Sequence, residues 1–260
     1  MTGSAADGPL LATLARTAEA TRWHRPGSLT EAAALMARGA TPVGGGTLVM
    51  SEAFDDVPGP YLDLRGVIPN GWHGDRVGAM TTLSALLQMT EGRWPAIAEA
   101  VRATANPGVR RLATIGGTIA ARLAGCDLAA PLAAYGALVI SVGADGAACE
   151  TPFIEFWCGA RGPCLITEVV LGPPRPGAYR RYGGRCGPAP ALAGVAGVAG
   201  AGGIELWAGA VADRPLRLTG RPLADGDMRE DLRCSARHRL RLVRAFIAEV
   251  TSVLLEYPGG

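Results

Sequence analysis

Two glycine-rich stretches of this 260-residue chain carry the residue types and spacing that could do chemistry. The first is Val43-Gly44-Gly45-Gly46-Thr47-Leu48 and the second is Ala113-Thr114-Ile115-Gly116-Gly117-Thr118. Glycine leaves empty the space a Cβ would fill, so successive backbone N–H groups can converge on a phosphate that a side chain would block. Thr47 and Thr114 add hydroxyls beside those amides. A pyrophosphate held between two such loops needs little help from basic side chains. That suits a formal net charge of +2, from 25 basic and 23 acidic residues. Either stretch alone reads equally well as a plain turn. Neither has the G-x-G-x-x-G spacing of a Rossmann nicotinamide site or the G-x-x-x-x-G-K-S/T of a nucleoside-triphosphate loop.

Other reactive residue types are scattered. The cysteines at 126, 149, 158, 164, 186 and 234 form no C-x-x-C pair and have no close histidine, so no residue is assigned to a metal. His24, His73 and His238 are isolated and read as structural or surface residues. Asp127, His73 and Glu168 are the ionisable residues near the glycine stretches, yet none stands out as a general base, and no catalytic residue is named.

The elements that must position the loops follow from period and punctuation. Ser28 or Thr30 can cap a helix through 31–38, ended by Gly39, and Thr41-Pro42-Val43 is a short strand into the first loop. Residues 61–64 and 76–80 read as short strands with a polar turn at 70–75, and helical periods return at 83–89 and 94–105. Asn106-Pro107-Gly108 is a breaker, after which Val109-Arg110-Arg111-Leu112 is strand-like and leads into the second loop. A helix at 128–135 and buried strands at 137–142 and 165–171 follow. The proline cluster at 173–176 is the best domain boundary. Beyond it, 192–199 and 204–212 read as a hairpin across Gly200-Ala201-Gly202-Gly203. Gly194, Gly197 and Gly200 therefore belong to strands and not to a dinucleotide loop. Apolar residues from Leu240 to Leu254 mark one face of a long helix over 235–256.

Length and a 48% hydrophobic composition allow one large domain or two modest ones. Near-neutral charge gives no reason to expect nucleic acid, and no segment is apolar enough for a membrane span, so the default is a cytoplasmic protein. The basic residues are all Arg, from which no function follows. Residues 1–20 are expected to be frayed.

Several motifs then fall in one order. Arg25-Pro26 with Ser28-Leu29 and Glu31-Ala32, GGGT at 44–47, VGAMTTLSAL at 77–86, VRRLATIGGTIA at 109–120, Asp127, LITEVVL at 165–171, and Tyr179, Arg181 and Arg185 run from the start of the fold into its last third. Together they resemble the FAD-binding (medium, flavoprotein) subunit of the molybdenum hydroxylase family, of the carbon monoxide dehydrogenase and xanthine dehydrogenase types. The resemblance implies an α+β chain: a two-subdomain FAD-binding domain, PCMH/vanillyl-alcohol-oxidase-like, over 21–172, and a small sheet-and-helix C-terminal domain over 177–260. It implies that amides of residues 44–47 and 114–118 hold the pyrophosphate of FAD, flanked by Val43, Leu48 and Ala113. It also places Asp127 at the ribityl chain, Ile166 at the isoalloxazine ring, and Arg181 in the cofactor site at a position where the family has Lys. Leu48, Thr118, Leu123 and Cys164 depart from the family pattern and thin the polar network, whereas loops that bind through backbone are unaffected.

The activity implied is an FAD-dependent oxidoreductase subunit. It would pass electrons between 2Fe–2S clusters of a small subunit, in a complex with a molybdopterin-binding large subunit, and an acceptor. The alternatives are a stand-alone flavoenzyme oxidising a small molecule, as a homo-oligomer, and a non-catalytic relative that keeps only the fold.

Overall fold

The first strand-forming residues of the chain pair in parallel. In a computed structural model describing residues 22–51, 59–160, 162–184, 189–220 and 222–256, β1 (Trp23–His24), β2 (Thr41–Val43) and β3 (Tyr61–Asp63) form a three-stranded sheet in the order β1-β3-β2. Helix α1 (Leu29–Ala37) connects β1 to β2 and buries Ala32, Ala33 and Met36. Of the two capping residues considered, Ser28 does the work: its hydroxyl accepts from Glu31 N at 3.1 Å while Glu31 accepts from Gly27 N at 2.7 Å. The reading of 1–20 and the position of Arg185 lie outside the described residues.

A five-stranded antiparallel sheet forms the second layer. Its order is β4-β5-β8-β6-β7, from β4 (Trp72–His73), β5 (Arg76–Gly78), β6 (Leu138–Gly143), β7 (Ala148–Pro152) and β8 (Cys164–Val170). Six helices accompany it, α2 (Leu83–Thr90), α3 (Pro95–Ala103), α4 (Pro107–Arg110), α5 (Ile115–Ala121), α6 (Ala129–Ala134) and α7 (Phe153–Cys158); α5 packs on β8 and α7 on β6 and β7, while α2 packs on α3. Trp94 is fully buried among them, its indole N–H donating to Gly172 O at 2.7 Å. The segment at 173–176 joins this layer to a four-stranded antiparallel sheet, β12-β11-β10-β9, from β9 (Gly177–Gly183), β10 (Ala191–Gly200), β11 (Gly203–Gly209) and β12 (Leu216–Arg217). The long helix α8 (Ala236–Leu255) lies on it, burying Leu240, Val243, Val250 and Leu254.

Three local readings change. The polar stretch at 70–75 contains β4, which pairs Trp72 with Val77 and His73 with Arg76, so the turn is a tight hairpin. Val109-Arg110 is helical and not strand-like, because Pro107 sits in the first turn of α4 and the Asn106 side chain accepts from Val109 N at 2.9 Å. The second glycine stretch is therefore entered from a helix, and itself opens helix α5. The helix expected to reach 105 stops at Ala103, since Ala105 turns to a φ of 50°. Strand β7 and helix α7 were not anticipated; β7 is largely exposed and has no apolar alternation to read.

Candidate functional site

The two glycine stretches touch each other through their backbones. A Cβ on Gly44 would stand 2.6 Å from Thr114 Oγ1, and one on Gly45 would overlap the Leu112 carbonyl. Gly46 has a φ of 71°, in the left-handed region glycine favours, and its carbonyl accepts from Met50 N at 2.9 Å to close one turn. Among the described residues, the amides of residues 44–49 have no acceptor. The first stretch thus presents a run of free donors where the next turn begins.

The amides of Ile115 to Thr118 are committed. Ile115 N donates to Thr81 O at 3.0 Å, Gly116 N to Ala79 O at 2.9 Å, Gly117 N to Thr114 Oγ1 at 3.1 Å and Thr118 N to Thr114 O at 2.9 Å. The Thr114 hydroxyl is the cap of α5, and that of Thr118 donates back to Thr114 O at 2.8 Å. The second stretch is a wall against which the first is held. Of its amides only that of Thr114 has no acceptor among the described residues, so it adds one donor and not a second set.

Between and beside them runs a cleft of three adjoining cavities, and a fourth, of about 490 Å³, meets it at Gly44, Gly45, Gly46 and Thr114 with Val43 and Arg65 in its wall. The middle one, of about 220 Å³, is lined by Gly44, Gly45, Gly46, Thr47, Leu48, Val49 and, opposite, Ala113, Thr114, Gly117 and Thr118. Sharing Gly44, Thr114 and Gly117 with it is a cavity of about 380 Å³ that Met80, Gly116, Cys164, Leu165 and Ile166 help to line. Sharing Thr47, Leu48, Ala113 and Thr118 is a third, of about 200 Å³, where Thr104, Ala105, Leu123, Cys126 and Asp127 stand. Ile166 and Asp127, both expected on the flavin, therefore line different cavities with the glycine loops common to each. Val43 lines the fourth cavity, and Ile115, wholly buried in the core, lines none.

Asp127 is buried, 5% exposed, and its Oδ1 accepts from Tyr179 Oη at 2.8 Å. Arg181 Nε lies 2.8 Å from the same oxygen as an ion pair whose N–H is not aimed along it. Burial pushes the Asp127 carboxyl up to about 6, against the lowering effects of Arg181 and the Tyr179 hydrogen bond. Arg181 itself stands behind Asp127, its guanidinium also donating to Ala189 O at 2.6 Å and Ala103 O at 3.4 Å. Tyr179 N donates to Glu99 Oε2 at 2.6 Å, tying β9 to α3. Glu168, beside Ile166 in sequence, pairs with Arg76 at 2.6 Å. Sequence reasoning gave no site role to Thr104, Ala105 or Cys126, which line the cleft; their types carry no signal.

Residues 18–171 match the family model described as the FAD binding domain in molybdopterin dehydrogenase. The chain belongs to this family. Its cofactor is FAD, and the cleft fits one: free amides stand at its middle, with no side chain in their way, and a cavity extends to either side. Among solved structures the chain is similar to reconstituted CO dehydrogenase from Oligotropha carboxidovorans, at a TM-score of 0.76 and 23% identity over 90% of this chain and 96% of that one. It is similar to the carbon monoxide dehydrogenase of Hydrogenophaga pseudoflava lacking the Mo-pyranopterin moiety (TM-score 0.77, 24% identity, the same coverage). Quinoline 2-oxidoreductase from Pseudomonas putida 86 matches at a TM-score of 0.75 and 21% identity, again over 90% of this chain and 96% of that one. At these identities the likeness shows a shared fold: α+β, with a PCMH-type FAD-binding domain leading into a sheet-and-helix C-terminal part. Among the described residues no helix is long and apolar enough to cross a membrane.

Proposed function

We propose that this chain is the electron-passing flavoprotein subunit of a molybdenum hydroxylase complex. It takes electrons from 2Fe–2S clusters of a small subunit, beside a molybdopterin-binding large subunit, and delivers them to an acceptor such as NAD⁺, a quinone or oxygen. The observation that carries this reading is the run of unbonded amides at residues 44–49, held against Thr114 at the middle of a cleft open to both sides. Those amides hold the pyrophosphate, and Thr114, Gly117 and Thr118 form the facing wall. The Asp127 carboxylate accepts from the ribityl hydroxyls or ring N–H of the flavin half, with Tyr179 and Arg181 fixing its other oxygen. Ile166, in the cavity across the loops, then belongs to the adenosine half, opposite to the ring position that the resemblance implied. When bound, FAD supplies stable one- and two-electron chemistry; the residues around it bind, orient and tune. The cytoplasm is the compartment such a complex would occupy.

Purification from the native source, with a visible spectrum, metal analysis and chain composition, tests the reading. Flavin with iron and molybdenum carried by two further chains is the expected result. Flavin in a lone, active homo-oligomer turning over a small molecule would replace it with the stand-alone enzyme. No flavin after reconstitution would leave only a scaffold.

A further inference from the structure

The wall of the cavity opposite Asp127 is made by a strained turn, and one arginine grips it. Ala105 has a φ of 50°, in the left-handed region where an L side chain crowds its own backbone. Such a residue persists only where its surroundings over-determine it. Here the surroundings are Arg110. Its Nη1 donates to Ala105 O at 2.6 Å, Thr104 O at 2.9 Å and Arg102 O at 3.2 Å. The carbonyls of Thr104 and Ala105 belong to the two peptide units flanking the strained residue, so relaxation of Ala105 would swing them apart and break the shared contact. Asn106 and Pro107 fix the other end of the connection by starting α4, which carries Arg110 itself. Thr104, Ala105 and Val109 all line the cavity that holds Asp127.

We propose that Arg110 is a positioning residue of the cofactor site: by clamping the Arg102–Ala105 carbonyls it sets the wall that faces Asp127 across the flavin half of FAD. Arg110 lines none of the cleft cavities and acts through Thr104 and Ala105. The inference rests on the reading above that the flavin half lies at the Asp127 end. It adds that the alignment of this wall depends on one guanidinium outside the cleft. All three contacts come from Nη1, whose two N–H groups share them, so a lysine ammonium keeps part of the clamp only as far as its stem places it among the same carbonyls.

The test is FAD titration into apo-protein, with the visible flavin spectrum of the reconstituted form, for R110A, R110K, A105G, the double variant A105G/R110A, and D127N. R110A is expected to weaken FAD binding on the order of tenfold, the loss of a charge-assisted bond set, and to shift the flavin band. R110K falls between R110A and the parent. A105G alone is the reference for the double variant, because Ala105 lines the cavity and its own Cβ is lost there. Glycine holds the left-handed turn without the clamp, so A105G/R110A recovers most of the affinity lost in R110A. If R110A does not fold, R110K and the double variant decide the matter. A lower melting temperature in R110A or R110K with affinity and spectrum unchanged, while D127N shifts the spectrum, would overturn the role of Arg110 alone. A D127N spectrum identical to the parent's would overturn the placement of the flavin half, and the inference with it.

Discussion

Replacing Gly44 by alanine tests whether the two glycine stretches are held at a fixed spacing. The new Cβ would lie 2.6 Å from Thr114 Oγ1 and 3.8 Å from Met80 Sδ, where ordinary contacts begin at 3.4 Å. Gly44 is outside the left-handed region, so its backbone accepts alanine and the conflict is purely with the facing loop. Thr114 is 4% exposed and cannot swing away freely. Its hydroxyl also caps α5 by accepting from Gly117 N at 3.1 Å. Displacing it combines overpacking, about 1–3 kcal/mol, with loss of the cap, about 1 kcal/mol. G44A should therefore lose roughly 2–4 kcal/mol of stability, and T114A about 1 kcal/mol through the cap alone. The double variant G44A/T114A no longer has the overlap, so its loss should be close to that of T114A, a coupling of about 2–4 kcal/mol in its favour. Urea unfolding of the four apo-proteins measures the cycle, and FAD titration follows it, with G44A weakened at least about tenfold and the double variant largely restored. Additive losses, within about 0.5 kcal/mol, would show that the Gly44–Thr114 contact does not set the spacing of the cleft.

G116V acts by a different route from blocking phosphate: its Cβ would lie 2.6 Å from Ala79 Cβ and 2.8 Å from Ala79 O, prying α5 from the strand end and breaking the 2.9 Å Gly116–Ala79 bond. The apo-protein should lose about 1–3 kcal/mol or more, and an unchanged apo melting temperature with FAD lost would refute that route. Asp127 titrates near 6 when folded against 3.8 when unfolded, so between those values the native state binds the extra proton and stability falls as pH rises. The stability difference between parent and D127N, measured by urea midpoints at several pH values, should change across that window and be flat above it; a constant difference would sink the assignment. Arg239, 1% exposed, donates to Leu192 O at 3.0 Å, Arg229 O at 2.6 Å and Cys234 O at 2.8 Å and pairs with Asp231 at 2.9 Å. R239A should remove about 3–5 kcal/mol from the β9–β12 and α8 unit, read as an early thermal transition, with flavin affinity at low temperature retained.

The division of labour between the loops marks where sequence stops being informative. Gly44, Gly45 and Gly46 announce a place that tolerates no Cβ, because that is a property of residue type alone, and the helix, strands and hairpin around them follow from period and punctuation. What the amides do is not a property of residue type. Thr114-Ile115-Gly116-Gly117-Thr118 reads as a cradle, but Thr114 bridges to Thr82, and that pairing hands the Ile115 and Gly116 amides to Thr81 O and Ala79 O. The first stretch keeps its donors because Gly46 in the left-handed region starts a turn whose early amides have no acceptor among the described residues. Two glycine motifs of similar composition thus do opposite things, and the deciding contacts come from residues more than thirty positions away. The same holds for Ala105, an unremarked alanine until Arg110 is seen holding both its flanking carbonyls. A pyrophosphate bound between the loops would in this arrangement be gripped mainly from one side, with the Thr114 amide the one free donor opposite. Mutations in the second stretch should accordingly reach FAD through the position of the first, the dependence that the Gly44 and Thr114 cycle measures.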